Sequence, residues 1–197
     1  TNLGNRDTHA VINNMRWGLD GWIYATHGYS SSDSVQPLGY GSDTSSKTYP
    51  TASIGAGVVR FKPDGTKIEQ YASRGGNTWG LDITSDGQVF YTQPTSGNHF
   101  IHVVLPEYVL AKGKLPGVSG TNGMLPREPT YPAMHWEQQA YVQIDQVGSY
   151  TAAAGCAIYE GGAWPAKWNY GYFTTEPTLN IVSHFMVEPD GVTYKAK

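Results

Sequence analysis

The sequence has little cysteine, little charge and no long apolar run. Cys156 is the only cysteine, so no disulfide forms within the chain. No Cys-x-x-Cys-His occurs, which excludes covalent attachment of a c-type haem to this chain. Charged residues are 15% of the 197, with a formal net charge of −3. Non-specific nucleic-acid binding needs a basic surface, so no nucleic-acid partner is expected. No apolar stretch approaches the ~18 residues a spanning helix needs, so no membrane span is expected. Zinc-type spacing, a phosphate-binding Gly loop, a nucleophile-elbow Ser and an Asn-x-Ser/Thr acceptor are all missing. The chain begins at Thr1 without Met or a leader, which fits either a processed product or a segment of a longer protein.

Turn formers and aromatics are plentiful: 24 Gly, 12 Pro and 14 Tyr. Many turns, many aromatics and few charges point to an all-β fold and lean toward export. Asp-Gly pairs at Asp20-Gly21, Asp64-Gly65, Asp86-Gly87 and Asp190-Gly191 sit between runs rich in β-branched and aromatic residues. Such pairs mark hairpins, because both residues tolerate positive φ. Strands are predicted near Met15–Trp17, Trp22–Thr26, Val58–Lys62, Lys67–Ala72, Trp79–Thr84, Gln88–Thr92 and Phe100–Val104. Later ones are predicted near Ala140–Ile144, Gly155–Glu160, Tyr170–Thr174, Ile181–Pro189 and Val192–Lys195. Residues 55–105 read as the contents of one propeller blade.

Residues 17–24 and 83–90 repeat one pattern: an apolar residue three before Asp-Gly, and an apolar pair just after it. The repeats are 66 residues apart. A regular array would be closer to about 45, so an insertion lies between them. Two long loops are predicted. Residues 28–54 are rich in Ser, Thr, Gly and Tyr; residues 105–138 contain five prolines. Within the second, 106–112 suits a turn or two of helix, with Pro106 at its first position and Gly113 as its stop. The expectation is one segment, 1–197, holding three to four blades of a propeller.

Three stretches resemble a known family. They are Met15-Arg-Trp-Gly-Leu-Asp-Gly-Trp-Ile-Tyr-Ala-Thr-His-Gly28; Gly57 to Gly65 leading into Asn77-Thr-Trp-Gly-Leu81; and Ala154 to Pro165 followed by Tyr170-Gly-Tyr-Phe173. In order and combination they are similar to the six-bladed propellers of the glucose/sorbosone dehydrogenase type, which use pyrroloquinoline quinone (PQQ). The closest branch is that of the bacterial putative membrane-bound dehydrogenases, large exported proteins often carrying a c-type cytochrome domain. The resemblance implies a periplasmic or otherwise exported location and a sugar or alcohol substrate. It also implies the remainder of the same propeller, and a cytochrome domain, as partners.

Site residues follow from the same resemblance. His9 is the candidate general base, a task suited to a side chain that titrates near neutrality. Asp7, two residues earlier, is placed to orient it; the alternative is an ordinary loop histidine. Asn77 stands where the family has the Asn of a quinone-contacting Arg-Asn pair. Gly76 occupies the Arg position, and Arg74 is the nearest guanidinium. The family's acidic Ca²⁺ loop corresponds to 93–99, which holds no carboxylate, so Ca²⁺ is not expected there. Tyr29 replaces an Asp of the enzymes. Other polar candidates stay open. His99 and His102, three apart on a strand, face opposite ways, against a shared metal site. His27 ends a strand facing the centre, while His135 and His184 have no evident partner. Glu176 is either a pocket residue or a solvated carboxylate. Cys156 reads as a buried, inert thiol, and Trp164 and Trp168 as wedges between blades or a ligand surface. Two functions remain: PQQ-dependent oxidation of a sugar or alcohol, or a non-catalytic scaffold or binding module in a haem-linked assembly.

Overall fold

The computed structural model describes residues 3–4, 7–29, 32–35, 51–73, 75–94, 98–125, 152–177 and 181–197. In chain order the elements are β1 (Ile12–Trp17), β2 (Ile23–His27), β3 (Ser32–Val35), β4 (Ala52–Ile54), β5 (Gly57–Phe61), β6 (Ile68–Ser73), β7 (Leu81–Ile83), β8 (Val89–Gln93) and β9 (Asn98–Val103). Then come α1 (Glu107–Gly113), β10 (Thr121–Gly123), β11 (Ala157–Tyr159), β12 (Gly171–Glu176), β13 (Ile181–Asp190) and β14 (Thr193–Ala196). The protein is all-β, with three four-stranded antiparallel sheets: β1-β2-β5-β6, β7-β8-β9-β10 and β11-β12-β13-β14.

Local chemistry makes the hairpins. Gly21, Gly65, Gly87 and Gly191 have φ of 74°, 69°, 84° and 63°, a region where a Cβ is penalised and Gly is not. Each ends an Asp-Gly turn. Asp64 Oδ1 accepts from both the backbone N–H (3.0 Å) and hydroxyl (2.7 Å) of Thr66, which tightens that turn. The two repeats, 17–24 and 83–90, span the β1–β2 and β7–β8 hairpins and so occupy the same place in successive sheets.

Two sequence expectations fail on topology. Residues 55–105 are not one blade, because β5 and β6 complete the first sheet while β7 to β9 belong to the second. Strand spacing is local, but the sheet boundary between β6 and β7 is set by which neighbour each strand bonds. Nor are the two long loops structureless. From 28–54 come β3 and β4, an antiparallel pair, whose Val35 and Ile54 bury against Ala25 and Val59 of the first sheet. From 105–138 comes β10, paired with β9 as the fourth strand of the second sheet. Polar and Pro-rich composition masked both. The expected helix forms, but Pro106 caps it from outside and Lys114, at φ 50°, ends it. The strand expected at 140–144 lies outside the described residues.

The sheets stack through two apolar layers. Tyr24, Val58, Leu81, Tyr91 and Ile101 fill the layer between the first and second sheets. Phe90, Phe100, Tyr172, Phe185 and Cys156 fill the next. Tyr172 lies flat on Phe100 with ring centroids 3.6 Å apart. Arg60 is anchored at the edge of the first layer. Its guanidinium pairs with Glu69 at 2.6 Å and Asp20 at 3.0 Å, and lies 4.4 Å from the Trp22 ring and 4.6 Å from Tyr108 of α1. One cation thus ties the helix to the first sheet.

The first strands of the three sheets stand side by side, β1 against β7 and β7 against β11. Arg16 Nε donates to Leu81 O at 2.7 Å, and the Ile158 N–H donates to Asp82 Oδ2 at 2.7 Å. These cross-sheet bonds bring the N-terminal lead-in next to the start of β7, where the candidate site lies.

Candidate functional site

Residues 7–10 form a turn before β1, closed by a bond from the Ala10 N–H to Asp7 O at 3.0 Å. Asp7 Oδ1 accepts from the His9 backbone N–H at 2.8 Å, and His9 Nδ1 lies 3.3 Å from the same oxygen. This is the Asx pattern, in which a short carboxylate bonds the chain two residues on. The other Asp7 oxygen accepts from the Tyr29 hydroxyl. The Tyr29 hydroxyl and the His9 amide hold the Asp7 carboxyl below the usual range, and the same contact raises the Tyr29 phenol. The His9 side chain is 86% exposed. With Nδ1 turned to Asp7, its Nε2 is free to take a proton from a group arriving from solvent.

Asn77 reaches this turn from the β7 side. Its Nδ2 donates to His9 O at 3.1 Å. Its Oδ1 is buried with no hydrogen-bond partner among the described residues and lies against Gly28, where an added Cβ would sit 2.3 Å away. The residue is 6% exposed. Asn77 therefore clamps the backbone of His9 from beneath. Because Gly28 also faces the Ala10 Cα at 2.5 Å from such a Cβ, Gly28→Ala is expected to cost about 1–3 kcal/mol by overpacking. Urea unfolding checks this, with Gly55→Ala as the control, since a Cβ there meets nothing within 4 Å.

In the structure Asp7, His9 and Asn77 lie together. As the resemblance places it, the quinone needs the Asn amide and an adjacent guanidinium. Here one of the two amide N–H groups donates to His9 O and the side chain is buried, while Arg74 lies outside the described residues. Among them, no group of three His, Cys, Asp or Glu could hold a metal ion.

The other candidates have structural partners. His27, fully buried, has Nδ1 2.7 Å from Gly28 O and Nε2 2.8 Å from Ser32 Oγ. It ties β3 to β2, and burial lowers its pKa. His102 bridges Thr193 Oγ1 and Gln88 Oε1, each at 3.0 Å. His184 packs on Trp168 and Phe173. The side chain of His99 and all of His135 lie outside the described residues. Glu176 is not a solvated carboxylate: it is 1% exposed and accepts from the Ala152 N–H at 2.7 Å. It lies at the end of β12 with its side chain buried. Cys156 is buried, as expected, and desolvation raises its thiol pKa well above normal. Trp164 is 51% exposed and stacks on Tyr159, so it does not lie between the described sheets. The Tyr29–Asp7 contact was not legible in sequence: the residues are 22 apart, and Tyr29 was read only as the loss of an Asp.

The geometry defines a stacked-sheet, all-β protein with an exposed His–Asp pair at one end of its first strands. Residues 1–197 match the family model of a domain of unknown function, DUF7133. The chain belongs to that family. No curated protein and no solved structure matches it.

Proposed function

We propose that the chain is a segment of a β-propeller that acts as a scaffold or binding module in a larger, exported, haem-linked assembly. The observation that carries this is the apolar character of both outermost sheet faces. On the first sheet, Met15 and Trp17 are 63% and 66% exposed, beyond the cover of β3 and β4. On the third, Val182 and Trp164 are 69% and 51% exposed. Large apolar side chains exposed on an outer sheet face suit burial against a neighbour. Further sheets of the same ring are the natural cover, and the side-by-side first strands support a radial arrangement. Export and the cytochrome partner follow from the family resemblance of the three motif stretches.

A cysteine introduced at Val182 or Trp17 tests this. Each is expected to resist thiol labelling in the native full-length protein and to react in the isolated 197 residues. Equal reactivity in both would sink the scaffold reading. A second reading, oxidation of a sugar or alcohol with His9 accepting the hydroxyl proton, is favoured by the Asp7–His9 pair. Under the scaffold reading, calorimetric titration of the full-length protein with PQQ gives no binding isotherm. Binding, with dye-linked turnover lost in His9→Gln, would establish the second reading instead.

A further inference from the structure

A cavity of about 130 Å³ opens between the second and third sheets, away from the His9 turn. The Asp86-Gly87 turn of the β7–β8 hairpin forms one side. Glu160 just after β11, Tyr170 just before β12 and Tyr194 of β14 form the other, and Phe90 also lines it. Two carboxylates and three aromatic rings thus face one space, and no Lys or Arg lines it. The Tyr194 phenol is raised by burial and then by the charge of Asp86, which puts that carboxylate's field across the cavity.

Tyr170 supplies an independent observation. Its φ is 57°, a left-handed conformation in which a bulky side chain is an outlier. Two backbone bonds lock it there: its N–H donates to Tyr159 O at 2.7 Å, and its carbonyl accepts from the Val187 N–H at 3.0 Å. Glycine would hold this backbone more easily. Yet the position carries a tyrosine that is 60% exposed, so burial does not offset the strain. Strain of this sort is a pointer to function. The ring stands at the mouth of the cavity.

We propose that this cavity binds a small organic ammonium group, held by the faces of Tyr170 and Tyr194 and by the negative field of Asp86 and Glu160. Glu160 has both oxygens on the Ser85 N–H and one on the Ser85 hydroxyl, so it is fixed in place and contributes charge rather than a new bond. Asp86 takes the Thr84 hydroxyl on Oδ1 at 2.5 Å and lines the same cavity. Cation–π attraction strengthens where water is excluded, and aromatic faces with nearby carboxylates select a cation over a neutral group of equal size.

The test is a titration of the full-length protein with tetramethylammonium, followed by the NMR shifts of Tyr170 and Tyr194. tert-Butanol serves as the neutral probe of similar shape. Expected are saturable millimolar binding of the cation, much weaker binding of the alcohol, and a loss of about tenfold in Tyr170→Gly and Asp86→Asn. Tyr170→Gly is also expected to raise the melting temperature, because it removes backbone strain and little packing; this separates lost binding from lost folding. No saturable binding, equal binding of the alcohol, or unchanged affinity in a folded Tyr170→Gly would each overturn the proposal.

Discussion

Phe100→Ala is expected to lower the unfolding free energy by about 3–5 kcal/mol, the usual cost of deleting a buried aromatic ring. Phe100 is 1% exposed and belongs to the second sheet. It lies 3.6 Å from the ring of Tyr172 in the third sheet and 5.4 Å from Phe90 in its own. Deletion removes the transfer free energy of the ring and leaves a cavity that two rigid sheets cannot close. Urea unfolding followed by tryptophan fluorescence measures the loss, because Trp22 reports the first sheet and Trp164 and Trp168 the third. A single shifted transition means that the layers fold together. A loss below about 1 kcal/mol would show that the Phe100–Tyr172 contact does not hold the second layer. Val192→Ala, at a residue 84% exposed, should stay within about 0.5 kcal/mol.

Acidification is expected to weaken the same layer through His102. This residue is 2% exposed, stacked on Phe90 and edge-on to Tyr194. Burial pushes its pKa down to about 4, against an ordinary value of 6.5. The neutral ring is therefore favoured in the folded state, and the unfolded chain binds the proton first. Above pH 6.5 the stabilisation is complete. It falls as pH drops from 6.5 toward 4, and levels off below that, where both states are protonated. The total is roughly 3 kcal/mol. Burial lowers the His27 pKa as well, so it adds a slope of the same sign. Unfolding free energies measured between pH 4 and 7.5 should show this decline. His102→Gln keeps a hydrogen-bonding side chain near Gln88 and Thr193 but cannot titrate. It should be less stable at pH 7 and should lose most of the slope; an unchanged slope would remove His102 as its source.

Both effects sit between the second and third sheets, and the sequence showed neither. Phe100 was legible as a strand residue, but not its contact with Tyr172, 72 positions away. His102 was weighed as half of a metal pair with His99, because spacing is what a sequence displays. Its actual partners are Gln88, one residue before β8, and Thr193, 91 residues distant. The Asp7–His9 pair was readable, since an Asx contact reaches only two residues. The bond from the Asn77 amide to the His9 carbonyl, 68 residues away, was not legible.

By itself the sequence determined the strands and their turns. An Asp-Gly pair and the apolar runs beside it act within a few residues, where covalent geometry and burial on one face decide the outcome. It also set the weak net charge and the lack of a Cys-x-x-Cys-His motif. Only the tertiary structure decided where one sheet ends and the next begins, that polar stretches supply covering and fourth strands, and which candidate side chains stay free. Those outcomes rest on contacts between residues tens of positions apart, which form only when the three sheets stack and their first strands meet.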